Sequence, residues 1–431
     1  MYKTLCGPIA VQVEVTEMCN DTCRHCYNFF RHDNYVCKTM SEGEVSIVIS
    51  ELQKYQVVRG VITGGEPLIV PDIFLKLAEG MASIGMRTTV NTNLILFNKA
   101  IGTELLKIGT GTIMTSLIGD TPELHDFVTQ NPGSWKGTVN GIELAKSMGF
   151  RVLVNMVLTK WNIHRVREVG NLVGSLGANT FGATRACAPG PIAKDFHKNL
   201  ISIEELRESL KILYELKEKW DYKVDIFEHY PWCALGDLEK YSYLARRKCT
   251  AGITSCTIGA DGELRPCGHS SMRYGNVFSE GLSKPWMKMN DWRKQIYSGS
   301  CIKCSFFNRC TGGCPTEIQN SLDKKDHHCT SEEDVISLPI NKEEIISLDP
   351  DCIYKLNEKI VLRKEEFGGT IGTRNGEKLL FVDKKFFETL LNLRDQKFSI
   401  RQVSVESAED LDQVIQLFSI LFSKKMITEG R

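Results

Sequence analysis

Apolar positions along the first half of the chain recur with two periods. Val11 to Val15 alternates as a strand does, and a helical repeat occupies the stretch near Ser41 to Tyr55. Val57 to Ile62 reads as the next strand, Pro71 to Ser83 as a helix and Arg87 to Thr92 as a strand. The order continues with a helix near Lys99 to Ile108, a strand at Thr112 to Leu117, a helix near Trp135 to Met148 and a strand at Arg151 to Leu158. A helix near His164 to Leu176, a strand near Asn179 to Arg185 and a helix at Ser202 to Trp220 complete six strand-helix units. Strict alternation predicts an α/β fold, with a parallel sheet and helices outside it. Ligand sites in such sheets collect at the carboxyl ends of the strands.

From about residue 340 the rhythm changes. Apolar runs at Lys359 to Phe367, Thr370 to Thr373 and Glu377 to Val382 are separated by a Gly368-Gly369 break and by Asn375-Gly376. Asn-Gly between apolar runs is a hairpin signal. Helices are expected at about Lys384 to Leu393 and Ala408 to Phe422, the second with an apolar stripe. The chain thus divides into a barrel-like segment at 1–225, a cysteine-rich segment at 226–338 and a small α+β unit at 339–431.

Composition narrows the classes. A chain of 431 residues with 42% hydrophobic content buries a large core in two or three domains. No run is long or apolar enough to span a bilayer, and the first six residues carry no signal-peptide core, so the expected location is cytoplasmic with no membrane partner. Lys plus Arg equals Asp plus Glu at 53 each, so no net basic field favours nucleic acid. Sixteen cysteines in such a chain argue for metal ligation over a disulfide framework.

Three of them follow the first strand. Cys19, Cys23 and Cys26 lie in the run Thr16 to Tyr27, at spacings that wrap one loop around a single cluster. Three thiolates leave one iron of a four-iron, four-sulfur cubane without a protein ligand, and something else must fill it. Zinc is the alternative, but a structural zinc site takes four ligands, and His25 between two of the cysteines cannot easily face the same metal.

This C-x3-C-x2-C loop, with the aromatic His25 before its last cysteine, resembles the signature of the radical S-adenosylmethionine (SAM) superfamily. The resemblance implies a partial (β/α)6 barrel, a [4Fe-4S] cluster whose open iron is chelated by SAM, and hydrogen abstraction by a 5'-deoxyadenosyl radical. Gly64-Gly65-Glu66-Pro67 after the second strand is similar to the family's GGEP motif, which implies that its backbone and Glu66 receive the SAM amino group. Asn93 and Ser116, at the ends of strands three and four, occupy places where relatives contact the SAM carboxylate or ribose. Ile118 departs from the usual Ser-Leu-Asp-Gly pattern there. Asn155 on strand five and Arg185 on strand six are further candidates for cofactor contacts.

The downstream cysteines resemble the SPASM extension of radical SAM enzymes that modify peptides. Cys249, Gly262 and Cys267, then Cys301, Cys304, Cys310 and Cys314, then Cys329 match its order. The resemblance implies two auxiliary [4Fe-4S] clusters, three clusters in all. By family topology Cys249, Cys256, Cys267 and Cys314 hold an inner one, with Cys256 the natural eighth ligand, and Cys301, Cys304, Cys310 and Cys329 hold an outer one. If Cys256 is only a buried thiol, the inner cluster has an open iron able to bind substrate sulfur. Cys6, Cys37, Cys187, Cys233 and Cys352 remain, of which Cys187 faces the expected mouth of the site and the others read as small buried hydrophobes. His327-His328 reads either as a pair tuning the outer cluster or as a solvated loop pair.

The carboxy-terminal unit resembles a PqqD-like RiPP recognition element, a small winged-helix-like domain that captures the leader of a ribosomal precursor peptide as an added strand. Together these resemblances imply a peptide maturase that installs a thioether or carbon-carbon cross-link, served by an electron donor such as flavodoxin or ferredoxin. Oxidation of Cys or Ser to formylglycine, as in sulfatase maturation, is the alternative. That class typically has an Asp after the cysteine of the G-x4-C segment, where Gly268 and His269 stand here. A non-enzymatic iron-sulfur carrier or scaffold is the third class, and it has no use for Gly64 to Pro67.

Overall fold

The computed structural model describes residues 4–28, 36–187, 196–337, 348–373 and 378–430. Seven parallel strands lie side by side in chain order: β1 (Ala10–Glu14), β2 (Arg59–Thr63), β3 (Arg87–Asn91), β4 (Thr112–Ser116), β5 (Arg151–Leu158), β6 (Thr180–Arg185) and β7 (Lys223–Asp225). The connecting helices are α1 (Glu42–Lys54), α2 (Pro71–Ser83), α3 (Lys99–Ile108), α4 (Pro122–Thr129), α5 (Ser134–Ser147), α6 (Val166–Ser175) and α7 (Ile203–Lys219). The α1 and α7 starts are fixed by capping boxes, Ser41 with Glu44 and Ser202 with Glu205, which satisfy two backbone donors reciprocally. Alternate residues of β5 are fully buried, so one face packs on helices and the other faces inward.

The sheet is larger than the six expected units. A short strand β8 (Ser255–Ile258), from the cysteine-rich segment, pairs in parallel with the outer edge of β1, Val11 opposite Cys256, and β9 (Leu264–Arg265) returns antiparallel to β8. The segment after residue 225 therefore completes the sheet begun by the first strand. One apolar core runs through both, from Val13 and Phe74 to Trp286 and Met289.

The carboxy-terminal unit has its own core, centred on Tyr354, Leu390, Phe398 and Phe418. Its strands are β10 (Ile353–Leu356), β11 (Ile360–Glu365), β12 (Gly368–Thr373), β13 (Leu379–Asp383), β14 (Lys397–Ser399) and β15 (Ile427–Glu429), in two antiparallel sheets ordered β14-β10-β15 and β11-β12-β13. Helices Lys384–Asn392, Ile400–Ser407 and Leu411–Ser423 pack beside them. Gly368 and Gly369 belong to β12 rather than to a break. A side chain at Gly369 would overlap the Phe387 ring, and Gly368 holds φ +143° against the Val382 carbonyl. The expected Asn375-Gly376 turn and the boundary near residue 339 lie outside the described residues. No helix among the described residues is long and apolar enough to cross a membrane.

This unit is tied to the amino end of β1. The Arg363 guanidinium donates to the carbonyls of Pro8 (2.8 Å), Gly7 (2.9 Å) and Tyr55 (3.1 Å). It also pairs with Glu365, whose other oxygen accepts the Cys6 amide at 2.8 Å. Both side chains are buried, 4% and 0% exposed. Removing one partner of such a pair leaves a buried charge uncompensated. Arg363→Ala is therefore expected to destabilise the chain by about 3–5 kcal/mol, read by urea denaturation.

Candidate functional site

The three-cysteine loop leaves the carboxyl end of β1 and is laid against the loop that follows β2. Gly65 N–H donates to Thr16 O and Glu66 N–H to Met18 O, both at 2.7 Å. The glycines are required by this closeness. A Cβ on Gly64 or Gly65 would fall inside the Thr16 or Met18 carbonyl oxygen, a backbone contact that cannot swing away. On the other side, Asp21 receives Asn131 Nδ2 at 2.7 Å and Asn93 Nδ2 at 3.0 Å, and Thr22 and Arg24 N–H reach the last carbonyls of α4. Cys19, Cys23 and Cys26, each half-buried, line the same cavity, and the Asp21 amide donates to Cys19 Sγ at 3.5 Å.

That cavity also takes in Gly64, Gly65, Glu66, Asn93, Ser116 and Asn155, the ends of β2 to β5. Pro67 stands just behind it, opening a single helical turn that Glu66 caps through the Leu68 amide. Glu66 is buried and accepts Thr92 Oγ1 (2.7 Å), Asn93 N–H (2.8 Å) and Leu68 N–H (3.0 Å). Burial nevertheless pushes its carboxyl up to about 7, against those hydrogen bonds. Asn155 Oδ1 accepts Thr184 Oγ1 at 2.8 Å.

Arg185 is placed differently from the expectation. It borders the cavity, but its guanidinium is spent on the protein: Nη1 and Nη2 grip Asp326 at 2.7 Å each, Nε reaches Glu228 at 3.1 Å, and Nη1 lies 2.8 Å from His328 Nδ1. Its charge holds Asp326 far below the usual carboxylate range although burial pushes the other way. Arg185 is thus a strut between β6 and the cysteine-rich segment. His328 is buried in the same knot, its Nε2–H donating to Ile201 O (3.0 Å), so it does not lie in solvent; His327 pairs with Glu317 at 2.7 Å.

Three histidines and a tyrosine complete the walls. His25, His125 and His269 are each held neutral by burial, with values lowered to about 4. His125 Nδ1 accepts the Ile118 amide at 3.2 Å, so α4 supplies a polar group where the loop after β4 has an apolar side chain. His269 and Tyr27 meet edge to face at 4.3 Å. Among the described residues His25 Nδ1 and Asn28 Oδ1 are buried without a hydrogen-bond partner, and both residues border the cavity. Sequence reasoning missed His125 and His269 as wall residues because nothing in their spacing ties them to the cysteine loop, and it gave Tyr27, next to Cys26, no role. The His269 signal was its place two residues after Cys267.

Two further cysteine sets lie beyond the strand ends. Cys301, Cys304, Cys310 and Cys329 border one hollow with Trp232 and Phe306, and Cys233, missed in sequence, joins them. Cys329 Sγ is 3.5 Å from Cys301 Sγ and 3.7 Å from Cys233 Sγ, and hydrogen bonding to Cys329 lowers the Cys233 thiol to about 6. In the other set, burial and then the charges of Cys314 and Cys267 raise the Cys249 thiol, and Cys267 feels Cys314 as well. Cys256 is not with them. It lies 3% exposed on β8, packed in the apolar core against β1, and Arg293 is the charged group that acts on it. Spacing suggested a ligand, but strand pairing turns this thiol into the core. Cys187, at the end of β6, lies 3.7 Å from Glu228 Oε2 and borders the cavity of the three-cysteine loop.

The described residues contain one group of three metal-ligating side chains whose ligand atoms all lie within 4.8 Å, Asp326, His327 and His328, and Arg185 already occupies its carboxylate.

Comparison with known proteins agrees with this geometry. Residues 13–173 match the radical SAM superfamily. An AdoMet-dependent heme synthase of Oleidesulfovibrio alaskensis is 26% identical over 318 residues, covering 70% of this chain and 81% of that protein. The mycofactocin maturase MftC of Mycobacterium tuberculosis is 27% identical over 321 residues, covering 72% and 79%. Among solved structures, SuiB of Streptococcus suis bound to S-adenosylmethionine superposes with a TM-score of 0.60 at 18% identity, over 76% of this chain and 78% of SuiB. SuiB has also been solved with its precursor peptide SuiA.

Gly65→Ala is expected to force the β2 loop off the cysteine loop and to cost about 1–3 kcal/mol, as overpacking against a fixed group does. Gly111→Ala, where nothing lies within 4 Å, serves as the control and should stay within about 0.5 kcal/mol. Urea denaturation of both variants, with iron content after anaerobic reconstitution, checks the pair.

Proposed function

From the radical SAM domain that residues 13–173 form, we propose that this enzyme is a peptide maturase, which abstracts hydrogen from a ribosomally made precursor and leaves a thioether or carbon-carbon cross-link. When bound, a [4Fe-4S] cluster on Cys19, Cys23 and Cys26 supplies the electron that splits SAM into methionine and a 5'-deoxyadenosyl radical. The chain's own residues do the rest. Glu66, with the Gly64-Gly65 backbone, receives the SAM ammonium, Asn93 and Ser116 border its carboxylate and ribose, and Asn155 borders the space beyond. The unpartnered His25 Nδ1 and Asn28 Oδ1 are the buried polar atoms that a cofactor in this cavity would satisfy.

The observation that carries the peptide reading is the edge of β13, which pairs with no further strand among the described residues. The sheet β11-β12-β13 ends there, with Leu379, Leu380 and Val382 half-buried and Phe381 46% exposed. An apolar, unpaired edge is a template for an added strand. A PqqD-like leader site has that sheet followed by helices, as residues 360–423 do. The barrel alone does not choose the substrate, since a heme synthase and a mycofactocin maturase match this chain almost equally, at 26% and 27% identity. The two cysteine sets support a pair of auxiliary clusters, and an external donor of the flavodoxin or ferredoxin kind would feed them.

The test is turnover with a short precursor encoded beside this gene, under anaerobic reduction. 5'-Deoxyadenosine and a mass change in the peptide are expected, with SAM cleavage abolished when Cys19, Cys23 and Cys26 are all Ala. Pro placed in the leader segment that meets β13 should weaken peptide binding, because Pro removes a backbone donor. Turnover of a porphyrin substrate with no response to peptide would move the assignment to the heme synthase side.

SAM affinity should depend on pH through Glu66. Its folded value, about 7, is raised, so below that pH the carboxyl is neutral and offers the ammonium no charge. Affinity is fully present above about pH 7 and is expected to fall about tenfold per unit below it. Glu66→Gln should bind weakly at every pH with a flat profile, measured by calorimetric titration of the unreduced protein with SAM.

A further inference from the structure

A hydrogen-bond donor on the cavity wall is left without a partner, and we propose that it positions the cofactor: His125 donates its Nε2–H to the carboxylate of SAM. This rests on the radical SAM reading above. His125 stands in the first turn of α4, 2% exposed, and its Nδ1 accepts the Ile118 amide at 3.2 Å. A nitrogen that accepts an amide N–H carries no proton, so the ring is neutral and bears its one proton on Nε2. The ring borders the cavity, and among the described residues Nε2–H has no hydrogen-bond partner. Ile118, where relatives carry Asp, offers the ring only its backbone.

SAM brings two ionic groups to this cavity. Its ammonium donates and suits Glu66, whereas its carboxylate only accepts. Among the described residues on the cavity wall, Arg185 carries the one fixed positive charge, and its guanidinium is paired with Asp326 and Glu228. The carboxylate therefore calls for neutral donors. A hydrogen bond to an ionised acceptor is about twice as strong as one between neutral groups, and the Ile118 amide already fixes the imidazole, so little freedom is lost when the acceptor arrives. The donor also sits on the right body. Thr22 N–H reaches Thr129 O at 3.1 Å and Arg24 N–H reaches Val128 O at 2.8 Å, which holds α4, and His125 with it, against the three-cysteine loop. His125 Oand Thr129 Oγ1, 3.0 Å apart, close the same turn of the helix.

The experiment titrates the full chain calorimetrically, reconstituted with iron and sulfide and left unreduced so that SAM stays whole. Two ligands are compared: SAM and decarboxylated SAM, which keeps the ammonium, the sulfonium and the nucleoside. Two substitutions separate the two ring nitrogens. His125→Asn keeps an acceptor where Nδ1 meets the Ile118 amide and has nothing at Nε2, and His125→Gln restores an N–H at the Nε2 position. His125→Asn is expected to keep the parent's iron content and urea midpoint and to bind SAM about tenfold more weakly, as the loss of one hydrogen bond to a charged group implies. His125→Gln should recover most of that affinity, and decarboxylated SAM should bind the parent and His125→Asn alike. Parent affinity for SAM in His125→Asn, or an equal loss for both ligands, overturns the carboxylate assignment while leaving SAM in the cavity. Equal weakening in His125→Asn and His125→Gln, with a lowered urea midpoint, makes the ring structural only and overturns it too. No SAM binding by the iron-loaded parent overturns the radical SAM reading itself, and the assignment with it.

Discussion

One buried carboxylate organises the region where barrel and cysteine-rich segment meet. Asp326 takes both Arg185 nitrogens at 2.7 Å, the Cys314 amide at 2.8 Å and the His328 amide at 3.0 Å, with no exposed surface on either charged side chain. Arg185 sits on β6, and Glu228 just past β7 takes its remaining nitrogen. An ion pair of this kind adds little net stability over well-packed apolar residues, because desolvation offsets the attraction. Its effect is positional: the planar guanidinium and the forked carboxylate allow one arrangement, and Cys187, Cys314 and the cavity wall follow from it.

Much of the barrel was legible in the sequence, because helix and strand periods are local. β1 to β6 fall within a residue or two of the positions the pattern predicts, and the cysteine and Gly64-Gly65-Glu66 loops appear together at strand ends. What was not legible depends on partners distant along the chain. Arg185 reads as a free cation at a strand end until Asp326 arrives on a different segment. Cys256 reads as a ligand from its neighbours in sequence, and its register against Val11 overrides that. The Gly368-Gly369 pair reads as a turn, yet the glycines are there to admit the Phe387 ring beside a strand. Three of the carboxy-terminal strands, β10, β14 and β15, are only three or four residues long and carry too little periodicity to be read at all.

The site concentrates groups whose burial disfavours their charged forms. Glu66 is held up to about 7, three histidines are held neutral, and the thiols of Cys249, Cys267 and Cys310 are raised by burial. Burial of Glu66 is a cost that the apoprotein bears and that a positively charged occupant relieves by stabilising its carboxylate, so occupancy and fold stability are linked. The same argument explains the contrast with Arg363 and Glu365, which neutralise each other and need no occupant.

The pairing of β1 with β8 bears on the order in which the chain takes shape. β1 precedes the other strands of its sheet along the chain, and one of its edges is closed by β2 once that strand is made. Its other edge waits for Ser255 to Ile258, after all seven parallel strands have been made. Such long-range pairing is slow, and an unpaired apolar edge is exposed to wrong partners meanwhile. The cysteine-rich segment is therefore a completion device as much as a ligand source: the nascent barrel keeps an open seam until that segment zips onto it.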